Sequence, residues 1–438
     1  MKNILIAIRS IFKKGRHNVM KIVSLGIGLA VGLVLIAKVY FEQSYDDFYP
    51  DRDRVYQVWA KYQQNGGELK DYPQTSGGIA PTMQQQIPEI ETVTRYTSFG
   101  DWTFTMTDTK MKYSGRCIIA DSCFFDILPR PMLIGNAKEV LSTPMYVLVS
   151  SRIAKNIGGD VIGKNFTVDS SPGRTMTIGG VFEEVPENSH SRYDVIVSMA
   201  SASRFMWEGS PTNMLGNDRY ISYVKLHKGV NPLALEEQVH TFVNSYFPPE
   251  EQQKTGFNIG FSFHELDGLH KELPQVKRMT WILSLLAFAL IFTAVMNYIL
   301  IVISSIVNRS KEVAVHKCYG ASENNIHGMM FGEALVHIVL SLILALLLIL
   351  AFRGTVEELL ATSLDSLLLS NGSLVLLGIC ILVFFVSGFM PGSLYARISV
   401  ASAFRNYREN KRIWKKALLL VQFVATGFLV TMLVFVAR

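Results

Sequence analysis

Cysteine is scarce in this chain, with four in 438 residues, at positions 117, 123, 318 and 380. That excludes a fold stapled by many disulfides. Cys117 and Cys123 could pair in an oxidising compartment or remain two half-buried thiols, and the sequence leaves both open. No Cys or His grouping has metal-ligand spacing: His264-Glu265 with His270 is two residues too long for His-Glu-x-x-His on one helical face. No Ser/His/Asp or Cys/His arrangement for nucleophilic catalysis can be assembled. The segment Gly158-Gly159-Asp160-Val161-Ile162-Gly163-Lys164-Asn165 comes within one residue of a phosphate-binding loop, but Asn165 stands where Ser or Thr must hold Mg²⁺. It also follows a helix instead of opening one, so a turn between helix and strand accounts for its glycines.

Charge is missing where it matters most. Five apolar runs, Ile22–Ala37, Met279–Ile303, Ala334–Phe352, Ser373–Ala396 and Ala417–Ala437, hold no Asp, Glu, Lys or Arg. About 20 helical residues cross a hydrocarbon core of about 30 Å, so the last four are spans. The first reaches that length if Lys38 snorkels outward beside Tyr40 and Phe41. Basic residues set the orientation. Lys2, Arg9, Lys13, Lys14, Arg16 and Lys21 precede the first run without an acidic residue, and Arg397 to Lys416 is rich in Lys and Arg. The loop after Phe352 has only Arg353 against Glu357, Glu358 and Asp365. The N-terminus is therefore cytoplasmic, and the first run is an uncleaved anchor. The formal charge of +6 sits beside the spans, which makes it a topology signal and excludes a nucleic-acid partner in favour of membrane lipid.

The resulting organisation is an α-helical integral membrane protein with a large α+β extracytoplasmic domain. Residues 1–21 form a cytoplasmic amphipathic helix, with Ile4, Leu5, Ile8, Ile11 and Phe12 on one face and an elbow near Gly15. Spans follow at 22–41, 279–303, 332–352, 373–396 and 417–437. Between them lie the α+β domain at 42–278, cytoplasmic helices at 304–331, a short outer loop at 353–372 and a cytoplasmic linker at 397–416. Gly26, Gly28 and Gly32 in the first span allow another helix to approach closely. In the outer domain, the alternation of Tyr56, Val58, Ala60 and Tyr62 predicts a strand, and Asn65-Gly66-Gly67 a hairpin turn. Pro81 predicts a short helix through about Ile87. Ser151–Ile157 predicts a helix closed by Gly158-Gly159, with strands at Cys117–Ala120, Tyr146–Val149, Phe166–Asp169, Met176–Phe182 and Tyr193–Ser198. Leu235, Val239, Phe242, Val243 and Tyr246 mark an amphipathic helix that Pro248-Pro249 ends.

After the second span the helix is expected to continue as Ser304–Tyr319, stop at Gly320 and restart with Ser322 as cap, making a knuckle of two short helices. Lys38, Glu333, Asn297 and His337 are the polar residues in or beside the spans, too few for a proton-coupled pump. Asn297 and His337 read as helix-to-helix hydrogen bonders. The membrane part lacks an energy source of its own, while the knuckle suits a partner. The layout of Phe404 to Lys416 into the fifth span repeats that of Ile8 to Lys21 into the first, so a second unit is expected beyond the fifth span.

The run Arg309-Ser310-Lys311-Glu312-Val313-Ala314-Val315-His316-Lys317-Cys318-Tyr319-Gly320-Ala321-Ser322 resembles the marker of the MacB/FtsX-like permease subunits of ABC transporters: a basic residue, Glu, an apolar-small-apolar triplet, Arg-Lys, then Gly-Ala. His316 stands where the family usually has Arg. Glu42-Gln43-Ser44-Tyr45-Asp46, Phe124-Phe125-Asp126-Ile127, Ile162-Gly163-Lys164, Gly180-Val181-Phe182 and Pro186-Glu187-Asn188-Ser189-His190 resemble its periplasmic core domain. The resemblance extends over nearly the whole chain, as the N-terminal half of the duplicated type plus the first span of a second unit. It implies a non-catalytic inner-membrane subunit that binds no cofactor directly. A separate ABC ATPase using ATP and Mg²⁺ would grip the knuckle through Arg309, Lys311, Glu312, His316, Lys317, Gly320 and Ala321. Motion would then pass to the periplasmic domain for export or efflux by mechanotransmission, in a dimeric or pseudo-dimeric permease, with a periplasmic adaptor and an outer-membrane channel as further partners. The alternative it implies is a regulator that transmits ATPase state to an envelope hydrolase or an antimicrobial-peptide sensor.

Overall fold

The computed structural model describes residues 17–169, 171–216, 218–368, 372–396, 399, 400, 416, 419–427 and 431, without side chains at 171, 172, 306–309, 390, 391 and 394–396. The amphipathic helix and elbow expected within residues 1–16, the linker repeat at 401–415 and most of the fifth apolar run lie outside the described residues. The chain divides into two compact units, Met1–Gln43 with Pro274–Arg438, and the inserted Ser44–Leu273. The first opens with helix α1 (Asn18–Gln43), which is apolar on every side and free of proline.

The inserted unit is built on one mixed sheet. Its strands are β1 (Val55–Gln64), β2 (Lys70–Tyr72), β3 (Ile90–Met106), β4 (Lys112–Ala120), β5 (Met132–Ile134), β6 (Tyr146–Ser150), β7 (Asn165–Val168), β8 (Ser171–Phe182), β9 (Val195–Ser198), β10 (Ile221–Leu226) and β11 (Phe257–Glu265). The main path runs β11-β1-β10-β3-β4-β9-β6-β8-β5, with β2 on β1 and β7 on β3 and β8. Among the described residues only β4–β9 and β6–β8 are parallel pairs, so hairpins and short crossovers suffice for most connections. The turn between β1 and β2 has Asn65 and Gly66 at positive φ, 50° and 70°, which matches the twist of the antiparallel pair.

Short helices accompany this sheet, and the longer ones end where their caps dictate. Helix α2 (Ile79–Gln86) starts two residues before Pro81, which sits in the first turn, where a missing N–H costs no intrahelical bond. Helix α3 (Ser151–Ile157) is capped by Ser150, whose Oγ accepts from the Ile153 amide, and is closed by Gly158 at φ 77°. Asn231 accepts from the Leu233 amide and opens a 3₁₀ turn into α4 (Glu236–Tyr246), which buries Val239, Phe242 and Val243. Helix α5 (Pro249–Thr255) ends on Gly256 in the left-handed region. The buried side chains form three clusters, around Phe124, Phe182 and Tyr223, around Phe104, Phe166 and Val147, and around Met83, Val224 and Phe242.

The helical unit resumes with α6 (Pro274–Ser304), α7 (Ile306–Cys318), α8 (Glu323–Ala351), the short α9 (Arg353–Leu360) and α10 (Leu364–Leu368), and α11 (Ser373–Ala396). Helices α1, α6 and α8 are long and apolar enough to cross a membrane, and α11 carries a shorter apolar stretch, Ser373–Phe389. Leu25, Leu29, Ile299, Val302, Met330 and Ile338 pack inside. Large apolar side chains also cover the outside: Trp281, Phe288, Leu374 and Phe389 are each more than 60% exposed. Such a surface suits lipid and is unfavourable in water.

Candidate functional site

The α7–α8 turn is fixed by hydrogen bonds that its sequence explains. The helix expected to run from Ser304 to Tyr319 is interrupted at Ser305, whose Oγ donates to Val302 O at 2.6 Å. Beyond that break α7 buries Ser310, Val313 and Ala314. Its end forms a Schellman motif: the Ala321 amide donates to His316 O and the Gly320 amide to Lys317 O, each at 3.0 Å. That closure needs a left-handed residue, and Gly320 has φ 85°. Ser322 then caps α8, accepting from the Asn325 amide at 3.3 Å, with Glu323 in the first turn beside the helix N-terminus. The second short helix of the expected knuckle is thus the first turns of the long α8.

The turn gathers most of the candidate residues at one end of the unit. Lys311 and His316 are exposed, Glu312 and Lys317 are half-buried and engaged with other groups, and Gly320 is exposed with Ala321 half-buried. Arg309 lies in α7, and its side chain is outside the described residues. Sequence reasoning missed the apolar partners of these charges. Val315, Cys318 and Tyr319 join Lys311 at i, i+4, i+7 and i+8, one helical face, and Tyr319 is 89% exposed. The spacing of Val315 and Tyr319 from Lys311 was the available signal. Chemically this is a docking stripe, an exposed aromatic and an aliphatic group flanked by cations.

Helix α1 meets its neighbours through small residues. A Cβ on Gly28 would run into Ala294 of α6, and one on Gly32 into Ile291. A Cβ on Gly26 would come within 2.9 Å of Leu344 Cδ2 and 3.1 Å of Ser341 O on α8. Polar side chains are paired in the same interior. Gln422 donates to Asn297 Oδ1 at 2.9 Å, Tyr298 Oη lies 3.2 Å from His337 Nδ1, and Ser341 Oγ donates to Ile22 O at 3.1 Å. Asn297 and His337 therefore do bond between helices. Lys38 departs from expectation: instead of snorkelling it is buried, 2.6 Å from Glu42 and donating to Thr362 Oγ1 at 2.7 Å. A nearby carboxylate and hydroxyl make burial less costly than sequence position alone suggested.

The inserted unit contains a Ser/His/Asp arrangement, which the sequence had not allowed to be assembled. His190 Nδ1 is 2.7 Å from Asp46 Oδ2, and Ser191 Oγ is 3.0 Å from His190 Nε2. Tyr223 Oη also bonds His190 Nε2, and Tyr96 Oη lies 2.7 Å from Ser191 Oγ. Ser191 is 3% exposed and Asp46 fully buried; burial pushes the Tyr96 phenol up to about 12. Ser189 Oγ donates to Asp46 Oδ1 at 2.9 Å, and Asn188 Nδ2 donates to Ser44 O at 2.6 Å. The arrangement is a closed clamp on residues 44–46, with every member already bonded.

The other tempting motifs dissolve. His264 stacks on Trp59 at 4.2 Å and His270 on Tyr45 at 3.4 Å, and among the described residues no three His, Cys, Asp or Glu side chains group as a metal site. The Gly158–Asn165 segment is the turn from α3 to β7. Cys117 and Cys123 are both free; burial raises both thiols, Cys123 being raised further by Asp121.

The helical unit thus consists of long apolar helices interrupted in sequence by the inserted α+β unit. Residues 284–400, which contain the α7–α8 turn, match the FtsX-like permease C-terminal family. Solved structures that match include a domain of a candidate permease protein from Porphyromonas gingivalis, 32% identical, covering 50% of this chain and 91% of that one with a TM-score of 0.46. Among curated proteins none matches. The chain carries an FtsX-like permease C-terminal domain over residues 284–400. It is a membrane protein of transporter type, from a family whose members are generally non-catalytic membrane subunits and normally work with an ABC ATPase.

Proposed function

We propose that the chain is the permease subunit of a mechanotransmission ABC transporter in the bacterial inner membrane, its N-terminus cytoplasmic. A separate ATPase, using ATP and Mg²⁺, grips the α7–α8 turn, and its closing drives the inserted unit on the outer side to export or efflux a substrate. The observation that carries this reading is the exposed stripe of Lys311, Val315, Cys318 and Tyr319 on a turn held rigid by Gly320 and Ser322, within the segment matching the family. A rigid aromatic flanked by charge is the usual anchor of a protein interface. Arg309, Glu312, His316 and Lys317 supply complementary charge, and Ala321 packs the turn onto the bundle. A dimeric or pseudo-dimeric permease, with an adaptor and outer-membrane channel, completes the assembly.

The test is stimulation of the partner ATPase by the full chain in lipid. Glu312→Lys should abolish stimulation. Tyr319→Ala, at a site too exposed to affect folding, should cut it about tenfold, the size of one interface anchor. Unchanged stimulation in the Tyr319 variant would contradict the assignment.

A further inference from the structure

The inserted unit carries an aromatic groove that the coupling reading does not use. It lies between β11, the end of α4 and residues Met214, Leu215, Gly216 and Asp218, with a volume of about 420 Å³, and adjoins a second hollow of about 580 Å³. Both fall in the range of small-molecule sites. Its walls include Tyr62, Tyr246, Phe247, Phe257 and Phe261, with aliphatic side chains between them, and the Tyr62 and Phe257 rings are 5.5 Å apart. These residues arise from regular elements: Phe257 and Phe261 alternate with Asn258 and Gly260 along the edge strand β11, and Tyr246 and Phe247 end α4.

One carboxylate, Asp218, lines both hollows. Tyr62 Oη donates to its Oδ2 and Ser76 Oγ to its Oδ1, each at 2.5 Å, which holds the group toward the rings. A carboxylate has about four acceptor positions, so two stay open. No Lys, Arg or His among the described residues lies within ion-pair distance of it. Its negative charge reaches its neighbours: burial, then Asp218, raises both Tyr62 and Tyr246. Glu68 and Lys70 line the outer hollow, both exposed, so their opposite charges offset each other in water while Asp218 remains.

We propose that this groove binds an organic cation carried on an apolar body, with the cation against Asp218 and the faces of Tyr62 and Phe257, and the body along Phe247 and Phe261. A single fixed carboxylate beside aromatic faces favours cations through both Coulomb attraction and the ring quadrupole. An anion meets Asp218, and a neutral molecule gains the apolar contact alone. The assignment is independent of the ATPase reading, because binding needs neither nucleotide nor partner.

The experiment is fluorescence anisotropy of rhodamine 6G with the full chain in nanodiscs of zwitterionic lipid, with empty nanodiscs subtracted. Asp218→Asn should weaken binding about tenfold or more. On the unaltered protein, tetraphenylphosphonium should displace the dye, uncharged triphenylphosphine oxide should not, and rising salt should weaken binding. Equal affinity in Asp218→Asn, or equal displacement by the neutral competitor, would overturn the site. The competition keeps the test decisive if the Asp218 variant fails to fold.

Discussion

Along the long helices of the helical unit several polar side chains lie inside and many large apolar ones outside: Lys38, His337 and Ser341 are buried, whereas Trp281, Phe288 and Phe389 face outward. In Ser44–Leu273 Phe104, Phe166 and Phe182 are shut in, while pairs such as Arg52–Asp47 and Lys112–Asp169 sit near water. The same chain has been selected against two solvents. Where the surroundings are as apolar as leucine, close approach and hydrogen bonds hold helices together; where they are water, burial of apolar area does. The glue thus differs: glycine contacts and a few buried pairs in one unit, aromatic clusters in the other.

The comparison is broken most severely at Gly28. Gly28→Leu drives a side chain into Ala294, and overpacking of this kind costs about 3 kcal/mol or more. The expected outcome is a large fall in the detergent denaturation midpoint of the helical unit. An unchanged midpoint would mean that α1 and α6 do not meet there.

Asp46 tests the other side. Asp46→Ala leaves Ser189 and His190 without their acceptor, at about 1–3 kcal/mol for each buried group. It also places alanine at φ 58°, a left-handed conformation that Asp and Asn tolerate better. Asp46→Asn should recover much of the loss, read as the thermal midpoint of the full chain.

Lys38 and Glu42 sharpen the contrast. Lys38→Met should destabilise by removing a cationic partner of the buried Glu42 carboxylate, and Lys38→Met with Glu42→Gln should recover most of the loss, because a paired buried charge is worth little more than its neutral replacement. A double variant no better than the single would refute that accounting.

The smallest effect is the acid dependence of the inserted unit. Hydrogen bonds from Lys225 and then Arg54 hold Asp51 below its ordinary 3.8, and Arg54 holds Glu91 below its ordinary 4.5. Depressed carboxylates contribute stability above their unfolded values and lose it as pH falls through the folded ones. Both are more than a third exposed, so solvent screens them. Lys225→Met should flatten the melting-temperature slope below about pH 4.5 slightly and leave the neutral region nearly unchanged.

Much of this architecture was legible because local chemistry and global position agreed. Gly158 closes α3 in space as it does in sequence, and Asn65-Gly66 makes the turn its residues predict. β3 was not legible, since Gly100 and Asp101 interrupt its pattern at a bulge, and its strand character comes from pairing with β10, β4 and β7. β10 and β11 were missed for a related reason: their partner β1 is more than 150 residues away, and β11 is half-buried along most of its length, so alternation is weak. At the candidate site, Gly320 and Ser322 were readable as caps, whereas the exposure of Val315 and Tyr319 depended on which face of α7 packs. The Asp46–His190 clamp was invisible because it joins loops 144 residues apart. The Asp218 groove needed three separate segments to converge.

The most direct measurement is affinity purification of the tagged full protein from native membranes, with the co-purifying subunits identified and the Glu312→Lys and Tyr319→Ala variants run beside it. The account predicts a stoichiometric P-loop ATPase that is retained by the unaltered chain and lost from both variants. A regulatory hydrolase or kinase without any ATPase, or an ATPase retained equally by all three proteins, would contradict it.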